Sequence, residues 1–143
     1  MVWIVVLLMT CSLSSVRLAH IQEKDFGEIL RPASKIWHNK CILITGTTEE
    51  QIKELQQGKF TGNENIKKYV LCLGLISDMI TTDITVDEKK VKYFVPDNLQ
   101  YKLPHYIDCL SAAKISVPNN ATEQLWYTVQ CAYKKDTERF LIF

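Results

Sequence analysis

The 143-residue sequence has few of the features that mark non-globular chains. It contains only five glycines and four prolines, too few for a collagen-like or linker-rich protein. An excess of one charge sign is also missing, because 17 Lys+Arg against 16 Asp+Glu give a formal net charge of +1. We therefore expect no nucleic-acid partner. Hydrophobic residues make up 47% of the sequence, which is typical of a single globular domain at this length.

Long hydrophobic runs are absent apart from one at the start of the chain. Residues 2–9 read VWIVVLLM, well short of the roughly 20 apolar residues that span a bilayer. Small polar residues follow, so the pattern predicts a signal peptide over residues 1–19, cleaved between 14 and 19. An N-terminal core helix is the alternative. The remaining residues, 20–143, are expected to form a soluble, secreted domain with no stable membrane insertion.

Motifs of known catalytic chemistry are also missing. The three histidines, His20, His38 and His105, belong to no His-Glu-x-x-His or adjacent His-Asp pair. No Gly-x-Ser-x-Gly elbow and no phosphate-binding loop occurs. We therefore expect neither enzymatic activity nor a cofactor.

The cysteines indicate disulfides. Removal of the signal peptide takes away Cys11 and leaves Cys41, Cys72, Cys109 and Cys131. Four cysteines in an exported chain predict two disulfides, with three connectivities left open. A metal site would need closely spaced ligands, and the cysteines are too evenly spread, so no metal is expected.

The apolar residues recur with helical spacing, and no strand-like alternation competes with it. The first helix covers residues 26–41, with a kink or a new first turn expected at Pro32. Gly46 ends this segment, and residues 47–50 (TTEE) begin the next helix with a cap hydroxyl and early acids. Asn63 or Asn65 then begins a third helix.

The third helix is apolar on nearly every face from Tyr69 to Ile80 (YVLCLGLISDMI). Twelve residues cannot span a membrane, so this helix is predicted to lie at the centre of the fold. Gly74 would let a neighbour approach it closely. Later segments at 87–95, around Tyr106, and at 121–135 complete an all-α fold of about six helices around an internal hydrophobic pocket.

The cysteine spacing and the surrounding sequence resemble the pheromone/general odorant-binding family of insects. The segments ILRPASKIWHNKC, TGTTEEQIKELQQGKF and YVLCLGLISDMI follow the first three helices of that family in order. The resemblance is to a reduced-cysteine ("minus-C") type with four of six cysteines. The second family cysteine would fall at Lys68 and the fifth at Thr122, and these two positions form one disulfide in the family.

The resemblance implies the disulfides Cys41–Cys72 and Cys109–Cys131, which would join the first helix to the third and the fifth to the sixth. With the middle bridge missing, contact between the third and last helices is expected to depend on packing alone.

The function that the resemblance implies is a secreted carrier of small hydrophobic molecules such as odorants, pheromones or related semiochemicals. Its partners would be the ligand and a membrane chemoreceptor, and the protein would be a monomer or a weak dimer. The alternative is a secreted venom or salivary interaction protein on the same fold, which binds amines, lipids or a protein partner. Family members with pH-dependent release use histidines, for which His38 and His105 are the candidates here.

Candidate pocket residues are the apolar and aromatic side chains on the predicted inner helix faces, although each could equally be plain core. They are Ile36, Trp37, Tyr69, Val70, Leu73, Ile76, Ile80, Phe94, Tyr106, Leu110, Leu125, Trp126, Val129 and Phe140.

Two further features stand near the end of the chain. The apolar residues 140–143 (FLIF) would be an exposed patch unless covered. They are expected to form a lid or wall of the pocket, with packing on an outer groove or disorder as alternatives. Asn120-Ala121-Thr122 is an N-glycosylation sequon in a predicted loop, used or unused.

Overall fold

The computed structural model describes residues 21–137 and 141–142. The predicted signal peptide, His20 and Phe140 lie outside the described residues. Within them the fold is all-α, with one isolated antiparallel bridge between Ile80 and Val86. A 3₁₀ turn precedes seven α-helices, six of which have seven residues or more. They are the turn Glu23–Phe26, α1 (Gly27–Thr45), α2 (Glu49–Gln56), α3 (Glu64–Ile76), α4 (Glu88–Phe94), α5 (Asp97–Gln100), α6 (Leu103–Ser116) and α7 (Ala121–Lys135).

Helix α1 runs through Pro32 without a new first turn, contrary to one of the two expectations from the sequence. The proline ring removes the hydrogen bond to the carbonyl of Glu28. Both residues are exposed, so water can hydrate that carbonyl. As predicted, the helix ends at Gly46, whose φ of 67° is left-handed and whose N–H donates to the carbonyl of Ile42 at 2.9 Å.

The predicted caps of the next two helices are confirmed. The Thr48 hydroxyl accepts from the N–H of Gln51 at 3.3 Å, and the Gln51 side chain accepts from the N–H of Thr48 at 3.0 Å. This reciprocal capping box satisfies two backbone donors at the start of α2. Asn63, one of the two predicted starts of α3, accepts from the N–H of Asn65 at 2.8 Å.

Helix α3 packs against both α1 and α7 and is therefore the central helix, as expected. It ends at Ile76, however, and not at Ile80. Asp78 adopts a left-handed φ of 55°, which turns the chain back. The N–H of Ile80 then donates to the carbonyl of Gly74 at 3.0 Å, so backbone groups left free at the helix end are paired.

Both disulfides implied by the resemblance are present. Cys41–Cys72 joins α1 to α3, and Cys109–Cys131 joins α6 to α7. The four-residue helix α5 makes this last pair the sixth and seventh helices of the structure.

The sequence led us to expect that the contact between α3 and α7 depends on packing alone, and this expectation is wrong because an ion pair also joins the two helices. The ammonium of Lys67 donates to the Glu123 carboxylate at 2.7 Å. This hydrogen bond and charge pair raise the pKa of Lys67. Lys67 and Glu123 each lie one residue from Lys68 and Thr122, the positions of the missing family disulfide. An ion pair therefore joins the same two helices at the same level.

Candidate ligand-binding cavity

The described part of the protein forms an apolar cavity of about 150 Å³ that is partly open to solvent. Helices α3, α6 and α7 form one side of it, and the segment from Ser77 to Leu103, which includes α4 and α5, forms the other. Leu141 and Ile142 close part of the wall. The described residues of the carboxy-terminal tail therefore belong to the wall of the cavity.

Seven predicted pocket residues lie on this wall. They come from four separate segments of the chain and are brought together by the packing of α3 between α1 and α7 and of α6 on α7. They are Val70, Leu73, Ile80, Tyr106, Leu110, Leu125 and Val129.

The other predicted residues lie elsewhere. The inward face of α1 carries Leu30 and Trp37, which leaves Ile36 55% exposed on the outside. Trp37 packs edge-to-face on Phe94 with ring centroids 4.9 Å apart. Ile76 is half-buried against the core.

Two more of the predicted aromatic residues are in the core, away from the cavity. Trp126 packs against Phe60 with ring centroids 5.5 Å apart. Tyr69 is fully buried, and its hydroxyl lies 2.7 Å from Nδ1 of His38. The opposite nitrogen of His38, Nε2, lies 3.0 Å from the Glu49 carboxylate. Burial raises the pKa of Tyr69, and the charge of Glu49 adds to this shift.

Most of the wall residues that sequence reasoning missed come from loops and short helices. Val91 on α4 and Val95 just after it, spaced i and i+4, carried a helical signal that could have identified them. The loop residues carried none, whereas Leu141 and Ile142 belong to the apolar tail that was expected to form a lid or wall of the pocket. The residues missed are Gly74, Ser77, Met79, Val86, Val91, Val95, Leu99, Gln100, Lys102, Leu103 and Thr128.

A close contact shapes the end of α3 next to the cavity. A Cβ atom added to Gly74 would lie 3.0 Å from Cγ1 of Ile80. The missing side chain lets the Ile80 segment fold back against the helix, as expected for Gly74. Ile80 reaches the wall by this route although it is outside the helix that was predicted to carry it.

Polar groups on the wall are few and most of their donors are occupied by protein acceptors. The Ser77 hydroxyl donates to the carbonyl of Gly74 at 3.0 Å, and the Thr128 hydroxyl to that of Gln124 at 2.7 Å. The Tyr106 hydroxyl donates to the carbonyl of Leu141 at 2.9 Å. Burial raises the pKa of Tyr106.

One charged residue lies on the wall. Lys102 is only 4% exposed, and its ammonium is paired with the Asp136 carboxylate. The same ammonium lies 5.1 Å from the centre of the Tyr101 ring. Among the described residues there is no cluster of three or more metal-binding side chains. The described helices also include none that is long and apolar enough to cross a membrane.

Two disulfides, an all-α fold and a carbon-lined cavity define a small helical binding protein. The model of the PBP/GOBP family, the pheromone- and general odorant-binding proteins, matches residues 24–135. This range includes all seven α-helices, and the chain belongs to that family. A search of solved structures finds no match to the chain. Members of the family carry small hydrophobic ligands and are not enzymes.

Proposed function

We propose that this protein is a secreted carrier that reversibly binds small volatile or semivolatile hydrophobic molecules in the cavity between α3, α6 and α7. The observation that supports the proposal is the cavity itself, about 150 Å³ and lined almost entirely by carbon. Each Å² of apolar ligand surface that leaves water there contributes about 25 cal/mol. Binding of this kind forms no covalent bond, and release at a membrane chemoreceptor completes the proposed role.

The test is displacement of a fluorescent apolar probe from the oxidised protein by a panel of volatiles, fatty acids and biogenic amines. Leu73 is buried on the wall, so Leu73→Trp should fill the cavity and abolish uptake of the probe. Ile36→Trp is the matched control, because this side chain is exposed on the outer face of α1 and absent from the wall.

Binding and displacement of the probe that are lost in Leu73→Trp but kept in Ile36→Trp would support an internal binding site. A folded, oxidised protein that takes up no probe would contradict the carrier role. The secreted interaction protein, with amines, lipids or a protein as partner, would then be the better account.

We further propose that this chain is of the four-cysteine type. The Lys67–Glu123 ion pair supports this, because it brings α3 and α7 together beside Lys68 and Thr122. A Lys68→Cys/Thr122→Cys variant should close a third disulfide, visible in the mass of the intact oxidised protein. Free thiols at these positions after oxidation would contradict the assignment.

Export is the third part of the proposal. It is supported by the apolar run at residues 2–9 and by the two disulfides, which form in oxidising compartments. N-terminal sequencing of the product secreted from eukaryotic cells should locate cleavage between residues 14 and 19. Retention of the uncleaved chain inside the cell would count against it.

A further inference from the structure

We infer that Lys102 provides a hydrogen-bond donor to the ligand and makes the cavity selective for neutral molecules that carry a ketone, aldehyde or ester oxygen. The inference rests on the proposed carrier function and specifies the ligand class of the same cavity. Its basis is the ion pair between the buried Lys102 and the half-buried Asp136, beside a wall whose other polar groups are already hydrogen-bonded.

The position of Lys102 is unusual for a lysine. It lies on the wall of an apolar cavity with 4% of its surface exposed, whereas lysines are almost never buried unless paired. Asp136, just after α7, is its carboxylate partner. A pairing of this kind neutralises the charge of Lys102 but uses only part of the hydrogen-bonding capacity of its ammonium group.

An ammonium group has three N–H donors and no acceptor. Among the hydrogen bonds of the described residues, Asp136 is the one acceptor for the Lys102 ammonium. The Tyr101 ring adds a weaker contact at 5.1 Å. Lys102 therefore retains donor capacity that a bound molecule can use.

The remaining polar groups on the wall lack this capacity. The hydroxyl hydrogens of Ser77, Thr128 and Tyr106 are all directed to backbone carbonyls. The amide nitrogen of Gln100 donates to the carbonyl of Val95 and to the Asp97 carboxylate, both at 3.0 Å. A ligand oxygen that enters the cavity thus has Lys102 as its available donor among the described wall residues.

The charge of the ligand decides whether its oxygen can accept a hydrogen bond from Lys102 in this cavity. Lys102 and Asp136 together carry no net charge, so a ligand carboxylate would add an uncompensated negative charge in a medium of low polarity. A ligand ammonium would be repelled by Lys102 and would offer no acceptor. A neutral carbonyl oxygen accepts from the ammonium without changing the total charge.

The volume of the cavity guides the choice of probe molecules. A cavity of about 150 Å³ accommodates a ring about as large as benzene, and because the cavity is partly open to solvent, a small substituent on that ring can extend towards the opening. Acetophenone and α-methylstyrene are a suitable pair of probes, because they differ only in a C=O group in place of C=CH₂. Benzoate and benzylamine test the effect of charge on the same ring.

The experiment measures the dissociation constants of these four probes by displacement of the fluorescent reporter from the oxidised protein. We expect acetophenone to bind about tenfold more tightly than α-methylstyrene or better, given the strength of hydrogen bonds to charged groups. Benzoate and benzylamine should both bind more weakly than acetophenone.

The variant that tests the residue is Lys102→Met/Asp136→Asn, which removes both charges and leaves no unpaired carboxylate. In this variant the affinity ratio of acetophenone to α-methylstyrene should fall to one or below, because the carbonyl oxygen then leaves water without a donor. The control is Lys135→Met/Asp108→Asn, which removes a more exposed ion pair, 3.2 Å in length, between α7 and α6. The control should keep the wild-type ratio.

If the double variant does not fold, a measurement on the wild-type protein can test the hydrogen bond instead. The carbonyl stretch of isotope-labelled acetophenone should move to lower frequency on binding, relative to its value in an alkane solvent. A hydrogen bond from an ammonium weakens the C=O bond and has this effect.

Several results would overturn the inference. They are equal affinity for the two matched probes, an unshifted carbonyl stretch, tighter binding of benzoate than of acetophenone, or a ratio that persists in the double variant. Uptake of the fluorescent reporter with no binding of either matched probe would also overturn it, while the carrier function would stand. No uptake of any probe would instead contradict the proposed function itself.

Discussion

The hydroxyl of Tyr106 on α6 donates a hydrogen bond to the carbonyl oxygen of Leu141, 2.9 Å away and 35 residues later in the chain. Both residues lie on the wall of the cavity. This bond holds the described part of the carboxy-terminal tail against α6, so the tail and the cavity depend on each other.

Tyr106→Phe should therefore weaken both the fold and the binding of the apolar probe. The loss of one neutral hydrogen bond in a buried site costs about 1 kcal/mol in the free energy of unfolding. Urea unfolding and probe titration would measure the two effects. Tyr101→Phe is the control, because that side chain is exposed; an equal loss in both variants would contradict the role assigned to Tyr106.

Alkaline pH should destabilise the protein through two buried phenols. Burial raises the pKa of both Tyr69 and Tyr106 above the ordinary value of 10.0. Above that pH the unfolded chain loses these protons while the folded chain keeps them, so the free energy of unfolding falls as the pH rises. Below pH 10 the contribution is fully present.

Urea unfolding at a series of pH values from 8 to 11 would measure this decline. A Tyr69→Phe/Tyr106→Phe variant should show a smaller decline than the wild type over the same range. If the free energy of unfolding depends on pH identically in the two proteins, groups other than Tyr69 and Tyr106 cause the decline.

Loss of a disulfide should cost more than any single hydrogen bond. In the chain-entropy model, removing a disulfide that closes a loop of this length lowers the free energy of unfolding by roughly 3–4 kcal/mol. Cys109→Ser/Cys131→Ser opens a loop with a sequence separation of 22, and Cys41→Ser/Cys72→Ser one with a separation of 31. Urea unfolding of each double variant measures the cost, and a loss below that of Tyr106→Phe would contradict the expectation.

Asn120 has two roles that can be separated. Its side-chain oxygen accepts from the N–H of Glu123 at 3.1 Å and caps α7. The side-chain nitrogen, the atom that would carry a glycan, is not needed for this cap. Glycosylation at the sequon, which stays a proposal, is therefore compatible with the fold.

Two variants distinguish the cap from the glycan. Asn120→Ala removes both and should lower the free energy of unfolding of the unglycosylated protein by about 1 kcal/mol. Thr122→Ala removes the sequon alone and should keep the cap. On secretion from eukaryotic cells, both should run at the mass of the bare chain; a wild type of that same mass would show that the sequon is unused.

The helices and their caps were predictable because their signals are local. Thr48, Asn63 and Gly46 act where the sequence indicated, through hydrogen bonds within a few residues. The end of α3 was not predictable from periodicity, because apolar residues continue to Ile80 after the backbone has turned at Asp78. Hydrophobic spacing reports which side chains avoid water and does not report where the backbone stops being helical.

The cavity was predictable only in part for a related reason. Val70, Leu73 and Leu110 could be assigned from helical faces, and they lie on the wall. The same reasoning applied to Trp37 and Trp126 identified buried aromatic residues that pack on other rings. Burial in the core and exposure to a cavity produce the same pattern in the sequence. Lys102 was missed because a lysine carries no apolar signal at all.

The distribution of the two disulfides has a consequence for how such a protein can diverge. Both bridges lie in α1, α3, α6 and α7, and none crosses the segment between Cys72 and Cys109. That segment supplies Val86, Val91 and other residues of the opposite wall. Substitutions there can alter the shape of the cavity while the cross-linked half keeps the chain folded. Natural selection can thus change the preferred ligand in one half of the molecule and leave the stability of the other half intact.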